Sequence, residues 1–209
     1  MYAAFGRVAE RAALARLRAD LLAHATGRLL VIGAGQGYDL AHLPDAVTGV
    51  IAVEPDRAMR RGARSRAAAA PVPVQLVGAT AERLPVADGA VDTVLCAFVL
   101  CSVDDADASV AEIRRVLQPG GRLLVLEHVR AAQRSWVSGF QDAVDPVWTR
   151  FAAGCHLNRR TGHTLTEAGF DPGTLDVVRA SALVGFLPLL TGVVRRDGIA
   201  TELGRPGSS

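Results

Sequence analysis

A chain of 209 residues, 50% apolar and 21% charged, is long enough for one folded domain but too short for two ordinary ones. Its formal net charge of +2 excludes a strong general attraction to nucleic acid or to anionic membranes. All 23 basic residues are arginine, which excludes a P-loop lysine and a Schiff-base lysine. We therefore expect one domain over residues 1–209.

Hydrophobic periodicity predicts alternating helices and strands along the chain. In chain order, we predict a helix at about 7–24, a strand at 28–33, a short helix at 37–43, a strand at 46–53, a helix capped by Asp56 that ends before Pro71, strands at 72–78 and 91–99, a helix capped by Asp104 or Asp105 with Val110, Ile113 and Leu117 on one face, a strand at 122–129, helical structure at 136–160 and at 161–170, and closing strands at 175–183 and 186–196.

This alternation predicts right-handed βαβ units. The strands are continuous apolar runs, which is typical of a parallel sheet covered on both faces. The two closing strands are suited to antiparallel pairing. We expect an α/β fold: a Rossmann-like, seven-stranded, mostly parallel sheet with helices on both faces and an antiparallel C-terminal strand.

The cysteine pattern and the apolar stretches indicate the cellular location of the chain and whether it has disulfides, a metal site or a transmembrane span. Cys96, Cys101 and Cys155 are odd in number and form no Cys-x-x-Cys motif, which favours a cytoplasmic protein without a disulfide framework. The 54 positions between Cys101 and Cys155 also argue against a metal site, so none is predicted. The longest uncharged apolar run, 180–194, is shorter than the roughly 20 residues of a spanning helix and contains Pro188, so no transmembrane span is predicted.

Three glycines, Gly33, Gly35 and Gly37, follow the first strand. Glycines at this point allow a tight turn and the close approach of a ligand to the backbone, although a plain strand–helix turn also uses them. Glu54 ends the next strand, 21 positions after Gly33, where a carboxylate can hold the two hydroxyls of a ribose. The spacing differs from the G-x-G-x-x-G pattern of dinucleotide sites, which favours a ligand without a pyrophosphate.

With these features the chain resembles the class I methyltransferases that use S-adenosylmethionine, over about 29–129. The matching segments are "VIGAGQG", Glu54, "GATAERLPVADGAVDTVLC", "AFVLCSVDD" and "EIRRVLQPGGRLLVLEHV". Many members carry acids at the positions of Val31 and Thr80, which this chain lacks. The resemblance implies S-adenosylmethionine as cofactor and a small-molecule methyl acceptor. The sequence has no basic run with interleaved aromatic residues, so no nucleic-acid partner is expected. The cofactor-binding residues that the resemblance implies are Gly33, Ala34, Gly35, Gly37, Glu54, Pro55, Met59, Thr80, Ala81, Glu82 and Cys96.

A narrower likeness reaches the C-terminal third and covers about 30–195. Its matched elements are Glu127-His128-Val129, Trp136, Gln141, Asp145-Pro146, Trp148, Gly154-Cys155, Leu157 and Arg159. These resemble the methyltransferase-like seven group of membrane-associated alkyl-thiol methyltransferases, which implies a thiol acceptor. Open alternatives are O- or N-methylation of a natural product, quinone or lipid, and a non-catalytic protein that binds S-adenosylmethionine. The group's membrane anchor is not matched by the arginine-rich start of this chain, which leaves only a peripheral membrane contact open.

A thiol acceptor benefits from a general base, and three residues are predicted for that role: His128 first, then Asp145 and His156. His128 is equally suited to holding the loop that follows it, and Asp145 before a proline to capping or turning the chain. The segment at about 130–160 is expected to form a lid over the substrate. Its aromatic residues fit either an apolar pocket or helix packing. The predicted pocket residues are Cys101, Trp136, Phe140, Trp148 and Cys155, with Phe151 beside them.

Overall fold

The computed structural model describes residues 12–132, 135–152, 154–171, 173–179 and 187–196. In chain order the elements are α1 (Ala12–Leu22), β1 (Gly27–Ile32), a 3-10 turn (Tyr38–Ala41), β2 (Val47–Val53), α2 (Arg57–Ala68), β3 (Val74–Val77), β4 (Val91–Ala97), α3 (Ala106–Val116), β5 (Leu117–His128), α4 (Trp136–Phe151), α5 (Thr161–Glu167), β6 (Phe170–Asp171), β7 (Asp176–Arg179) and β8 (Pro188–Arg196).

All the strands of these ranges join one sheet, in the order β3-β2-β1-β4-β5-β8-β6, with β7 also paired to β8. Strands β1 to β5 are parallel, and β8 runs antiparallel to β5. Strand β6 pairs with one end of β8 and β7 with the other, so the two short strands share the seventh position of the sheet. The predicted fold class, with its antiparallel C-terminal strand, is confirmed.

Apolar side chains of the central strands alternate between the two faces of the sheet. Leu30 and Ile32 of β1 join one buried cluster, and Leu29 and Val31 join the cluster on the opposite face. All four side chains are almost inaccessible to solvent. Helices therefore cover both faces, as expected for a parallel sheet whose strands are continuous apolar runs.

Two predicted helix starts agree with the structure. The Asp56 carboxylate accepts a hydrogen bond from the Met59 N–H at 2.7 Å, and Asp105 accepts one from the Ala108 N–H at 2.9 Å. The α3 helix ends at Val116, earlier than predicted, because Leu117 is extended and pairs with Val91 as the first residue of β5. The helix predicted at 37–43 is only a 3-10 turn over four residues.

Two sequence predictions fall partly outside the described residues. Residues 7–11 of the predicted N-terminal helix lie outside them, as does the part of the closing strands at 180–186. The described part of the first is α1, whose Leu21 and Leu22 side chains are buried. In the described ranges, no helix has both the length and the apolar character needed to cross a membrane.

Candidate functional site

A cleft of about 490 Å³ opens at the carboxyl ends of β1 to β4. Strand order reverses between β1 and β4, and ligands of open α/β sheets bind outside the strand ends at such a point. The volume falls in the range of small-molecule sites. The lining residues are Ile32, Gly33, Gly35, Glu54, Pro55, Asp56, Met59, Ala79, Thr80, Ala81, Glu82, Phe98, Val99, Ser102, Val103 and Asp104.

The three glycines of the loop after β1 serve different purposes. All have positive φ, at 63° for Gly33, 54° for Gly35 and 78° for Gly37. A Cβ on Gly33 would lie 2.5 Å from a Val99 methyl group, so this glycine allows close packing. A Cβ on Gly37 would press on Leu40 and the α2 helix. Only Gly35 faces open space, where the nearest atom is 3.9 Å away, and it leaves room for a ligand at the backbone.

The Glu54 carboxylate is fixed at the end of β2. Its Oε2 accepts a hydrogen bond from the Gly35 N–H at 2.9 Å, and its Oε1 accepts one from the Asp56 N–H at 2.8 Å. A carboxylate has about four acceptor positions, so two remain for groups in the cleft. This geometry suits two neighbouring hydroxyls of a ribose, because the carboxylate is held before the ligand arrives.

The segment after β3 supplies Thr80, Ala81 and Glu82 to the same cleft. Partial burial acts to raise the pKa of Glu82, but hydrogen bonds from its own N–H, from Thr80 and from the N–H groups at Asp105 and Asp104 outweigh this effect and lower it. Glu82 is therefore an anion that joins the segments after β3 and β4. No acid stands at position 80, so this side of the cleft offers the Thr80 hydroxyl and backbone groups to a ligand.

Eight of the eleven predicted cofactor residues line the cleft, and Ala34, Gly37 and Cys96 do not. Cys96 lies inside β4 with no exposed surface and packs in the core, where burial raises the pKa of its thiol. Ala34 is also buried, and its N–H donates to the Val53 carbonyl. Both residues support the cleft by packing instead of facing it.

The buried acid Glu127 organises the loop after β4. The sequence comparison included Glu127 in a matched segment but predicted no function for it. Its carboxylate accepts hydrogen bonds from the N–H groups of Val99 and Leu100, both at 2.8 Å, and of Cys101 at 3.0 Å. Burial raises the pKa of Glu127 to about 7, although these three hydrogen bonds act in the opposite direction. In the sequence, the position of Glu127 directly after the apolar run of β5 could have indicated this buried structural role.

Phe98 has a left-handed backbone, with φ of 61°, and is the only non-glycine residue with positive φ in the described ranges. Its N–H donates to the Leu126 carbonyl at 2.7 Å, which holds the turn. The Phe98 ring lines the cleft and packs on the His128 ring, with 4.9 Å between their centroids. Strained backbone of this kind is typical of functional sites.

Cys101, Cys155 and His128 meet beside Phe98. The two sulfur atoms are 3.5 Å apart, and Nδ1 of His128 is 3.5 Å from the Cys155 sulfur and 3.9 Å from the Cys101 sulfur. The two cysteines are therefore close in space although 54 positions separate them in the sequence, so this spacing does not keep them apart. The absence of a metal site stays a prediction of the sequence.

The thiols of this cluster have unequal proton affinities. The hydrogen bond between the two thiols lowers the pKa of Cys155, and His128 lowers it further. The same hydrogen bond raises the pKa of Cys101, as does its complete burial. Cys155 is therefore the thiol that loses its proton first.

Asp145 and His156 form a second polar pair. Oδ2 of Asp145 lies 2.8 Å from Nδ1 of His156, and Oδ1 accepts a hydrogen bond from the Leu157 N–H at 2.8 Å. Asp145 lies within α4 and is buried, so it neither caps the helix nor turns the chain. The His156 N–H donates to the Cys101 carbonyl at 2.7 Å, next to Ser102 of the cleft lining.

The aromatic residues of α4 do not line the cleft. Trp136 is 73% exposed and Phe151 is 75% exposed, and Phe140 is also on the outer face of the helix. Trp148 is half-buried and packs in a small cluster with Cys101 and Cys155. Of the predicted aromatic pocket, the structure brings only Trp148 to the two cysteines.

Two further side chains, Gln141 and Arg159, hold the segment after α4 in place. Gln141 is buried, and its amide donates to the carbonyls of Val129 and Leu157 at 2.9 and 2.7 Å. Arg159 donates to the carbonyls of Leu100 and Val103 at 2.7 and 2.5 Å. Both belong to the matched pattern, but their roles depend on backbone positions that the sequence does not show.

Residues 30–125 match the methyltransferase domain family. Human thiol S-methyltransferase TMT1A is 40% identical over 46% of this chain and 39% of the human protein. An uncharacterized methyltransferase of Mycobacterium tuberculosis is 39% identical over 62% of this chain and 53% of its own length. The matched region thus spans well under two thirds of either relative.

Solved structures show the same fold. A Thermotoga maritima protein, described as an S-adenosylmethionine-dependent methyltransferase and possible histamine N-methyltransferase, is 26% identical, with a TM-score of 0.65 over 93% of this chain and 92% of that one. Geranyl diphosphate methyltransferase in complex with S-adenosylmethionine is 17% identical, with a TM-score of 0.68 over 88% of this chain and 84% of that one.

Proposed function

We propose that this chain is a class I S-adenosylmethionine-dependent methyltransferase that transfers a methyl group to the thiol sulfur of a small apolar molecule. The names of the human relatives support sulfur as the acceptor atom, at 40% identity for TMT1A and 43% for TMT1B. The observation that carries the proposal is the cleft itself, in which Gly35 and the fixed Glu54 carboxylate face the same space.

The cofactor of this enzyme is S-adenosylmethionine, and the cleft fits it. Glu54 would accept hydrogen bonds from the two ribose hydroxyls, and the bare Gly35 backbone would lie along the amino-acid end. Thr80, Ala81 and Glu82 would border the adenine. The cofactor supplies an electrophilic methyl group whose departure leaves a neutral thioether, so the protein needs no acid to release it.

The acceptor would approach from the side of the loop after β4. Phe98, Val99 and Val103 make this wall of the cleft mostly apolar, with Ser102 and Asp104 as its polar members. These side chains would exclude water and hold the attacking sulfur about 3–3.5 Å from the methyl carbon, in line with the leaving group. An apolar wall favours an apolar or amphipathic acceptor over a highly charged one.

A base would take the proton from the acceptor thiol, whose unperturbed pKa is about 8.5. The Asp145 pair favours His156 over His128 for this step, because the carboxylate fixes one ring nitrogen and leaves Nε2 to accept a proton. The corresponding Nδ1 of His128 faces two thiols instead. In this proposal Asp145 is a positioning residue.

The test is to incubate the purified chain with methyl-labelled S-adenosylmethionine and four acceptors: an alkyl thiol, an aromatic thiol, a phenol and an amine. We expect label in the methyl thioethers, identified by mass spectrometry. Transfer only to the phenol or the amine would contradict the sulfur assignment. Binding of S-adenosylmethionine without transfer to any acceptor would favour the non-catalytic alternative.

A cytoplasmic location stays a prediction that rests on the cysteine pattern. Fractionation of cells that express the tagged chain tests it. Recovery in the washed membrane fraction would contradict it and would favour the peripheral contact.

A further inference from the structure

The cluster of Cys101, His128 and Cys155 has no role in the proposed methyl transfer. Cys101 belongs to the loop after β4, His128 ends β5, and Cys155 follows α4. Both thiols are buried, and the imidazole is half-buried. The fold thus brings three potential metal ligands together from three separate segments, with their donor atoms within 4.8 Å of one another.

The distances between these donors match the edges of a tetrahedral metal site. Zinc binds thiolate sulfur at about 2.3 Å and imidazole nitrogen at about 2.0–2.1 Å, which separates two sulfurs by about 3.8 Å and sulfur from nitrogen by about 3.6 Å. The corresponding separations here are 3.5 Å between the sulfurs, and 3.5 and 3.9 Å from Nδ1 to Cys155 and Cys101. One ion can therefore contact all three donors after shifts of about 0.3 Å.

We propose that Cys101, Cys155 and His128 form a three-ligand site for Zn²⁺. Two sulfurs and one imidazole are soft and intermediate donors, which suit zinc and exclude magnesium and calcium as preferred ions. Three protein ligands leave the fourth tetrahedral position to water or to another small ligand. This site is independent of the proposed methyl transfer, because its ligands lie outside the cofactor cleft lining.

The surrounding structure holds the ligands in this arrangement. The Cys101 N–H donates to Glu127 at 3.0 Å, and the Cys155 N–H donates to the Ala152 carbonyl at 3.1 Å. The His128 ring packs on Phe98. Ligands that are already positioned lose little conformational freedom when an ion binds.

A disulfide between the two cysteines explains less of the geometry. It would require the sulfurs to close from 3.5 Å to about 2.05 Å, and it would give His128 no part. The zinc site uses all three side chains at their present separations. The two possibilities also differ in chemistry, because a disulfide removes two hydrogens and needs an external oxidant, whereas zinc needs deprotonated ligands.

The experiment starts from the full chain, reduced with a phosphine and stripped of metal with a chelator. Titration with Zn²⁺ against a chromophoric competitor is expected to give one tight site per chain. Co²⁺ in place of zinc should give the visible bands of a tetrahedral ion and a thiolate charge-transfer band. Neither readout depends on methyl transfer, so a failure here and a failure of the proposed function are distinguishable.

Variants identify the ligands. Cys155→Ser and His128→Gln should each weaken zinc binding at least about 100-fold, which is at or beyond the upper end of losses seen for outer-shell changes. Cys96→Ala is the matched control, because this cysteine lies in the core away from the cluster, and its zinc affinity should match that of the parent chain. Circular dichroism checks that each variant folds, and His128→Gln carries the test if a cysteine variant does not.

Three outcomes would overturn the proposal. The first is the absence of a tight zinc site in the folded, reduced chain. The second is unchanged zinc affinity in both ligand variants. The third is a disulfide between Cys101 and Cys155 in the chain as purified without reductant. It would appear as an intact mass that is two hydrogens lower and as linked Cys101 and Cys155 peptides in a digest.

Discussion

Nδ1 of His156 lies 2.8 Å from a carboxylate oxygen of Asp145, whose second oxygen holds the Leu157 N–H. One buried acid thus fixes both the ring and the backbone that follows it. In the proposed reaction this arrangement leaves Nε2 of His156 to accept the proton of the acceptor thiol.

For this pair, we predict that His156→Gln lowers kcat about 10²–10⁴-fold for an alkyl thiol. The loss should shrink for an aromatic thiol, which is already ionised at neutral pH and needs no base. Asp145→Asn should lower kcat less, and it should shift the pH profile because its amide N–H would face Nδ1. His163→Gln is the matched control, since this histidine is exposed on α5. Equal losses for both thiols would contradict the base assignment.

Glu54 is predicted to contribute charged hydrogen bonds to the ribose. Glu54→Ala should weaken S-adenosylmethionine binding by about 1.5–3 kcal/mol, measured by calorimetry. Because Glu54 also accepts the Gly35 and Asp56 N–H groups, thermal unfolding of the variant is measured in parallel. Asp45→Ala removes an exposed acid as a control and should bind normally. An unchanged dissociation constant in Glu54→Ala would refute the ribose role.

Two glycines of the same loop should respond differently to alanine. Gly33→Ala places a methyl group 2.5 Å from Val99 and should lower the free energy of unfolding more than Gly35→Ala. Gly35→Ala carries only the cost of a left-handed backbone, about 1–2 kcal/mol, but its methyl group would enter the cleft. We expect Gly35→Ala to weaken cofactor binding at least about tenfold. Calorimetry measures the binding, and urea unfolding measures the stability of both variants. The reverse order of stabilities would contradict this division of roles.

Glu127 should make stability depend on pH. Burial raises the pKa of Glu127 to about 7 in the folded chain, above its ordinary value of 4.5. The folded chain keeps a proton that the unfolded chain releases, so this stabilisation is complete below about pH 4.5 and is lost as the pH rises to about 7.

Urea unfolding of the parent chain and of Glu127→Gln at pH 5 and pH 7.5 isolates this effect, because other groups titrate alike in both. The advantage of the parent chain should be larger at pH 5, by on the order of 1–3 kcal/mol. A difference that does not change with pH would contradict the prediction. At both pH values the Glu127→Gln variant should be less stable than the parent chain, since the NH2 group of the glutamine amide cannot accept a hydrogen bond from a backbone N–H.

Local signals in the sequence were sufficient to predict much of the fold and many of the residues that line the cleft. Asp56 and Asp105 each cap a helix by accepting a hydrogen bond from the N–H three residues later. Gly35 and Glu54 come directly after the first and second buried strands. The carboxyl ends of parallel strands meet at one edge, so the strand pattern alone brings these groups together.

The α4 helix was harder to predict, because some of its polar side chains are buried and some of its apolar side chains are exposed. In α4 the polar Gln141 and Asp145 are buried, and the apolar Trp136 and Phe151 are exposed. The buried pair is satisfied by backbone groups around Val129 and Leu157, and such partners are fixed only by the tertiary structure. The meeting of Cys101 with Cys155 depends on the same chain path, which no spacing rule describes.

The three hydrogen bonds that Glu127 accepts also constrain how this chain can vary. Val99 forms part of the cleft wall and Cys101 carries a thiol of the neighbouring cluster, yet one carboxylate holds the N–H groups of both. A substitution at position 127 would therefore disturb two sites in a single step. We expect a mutational scan to find position 127 intolerant without revealing whether the cleft wall or the cysteine cluster is responsible.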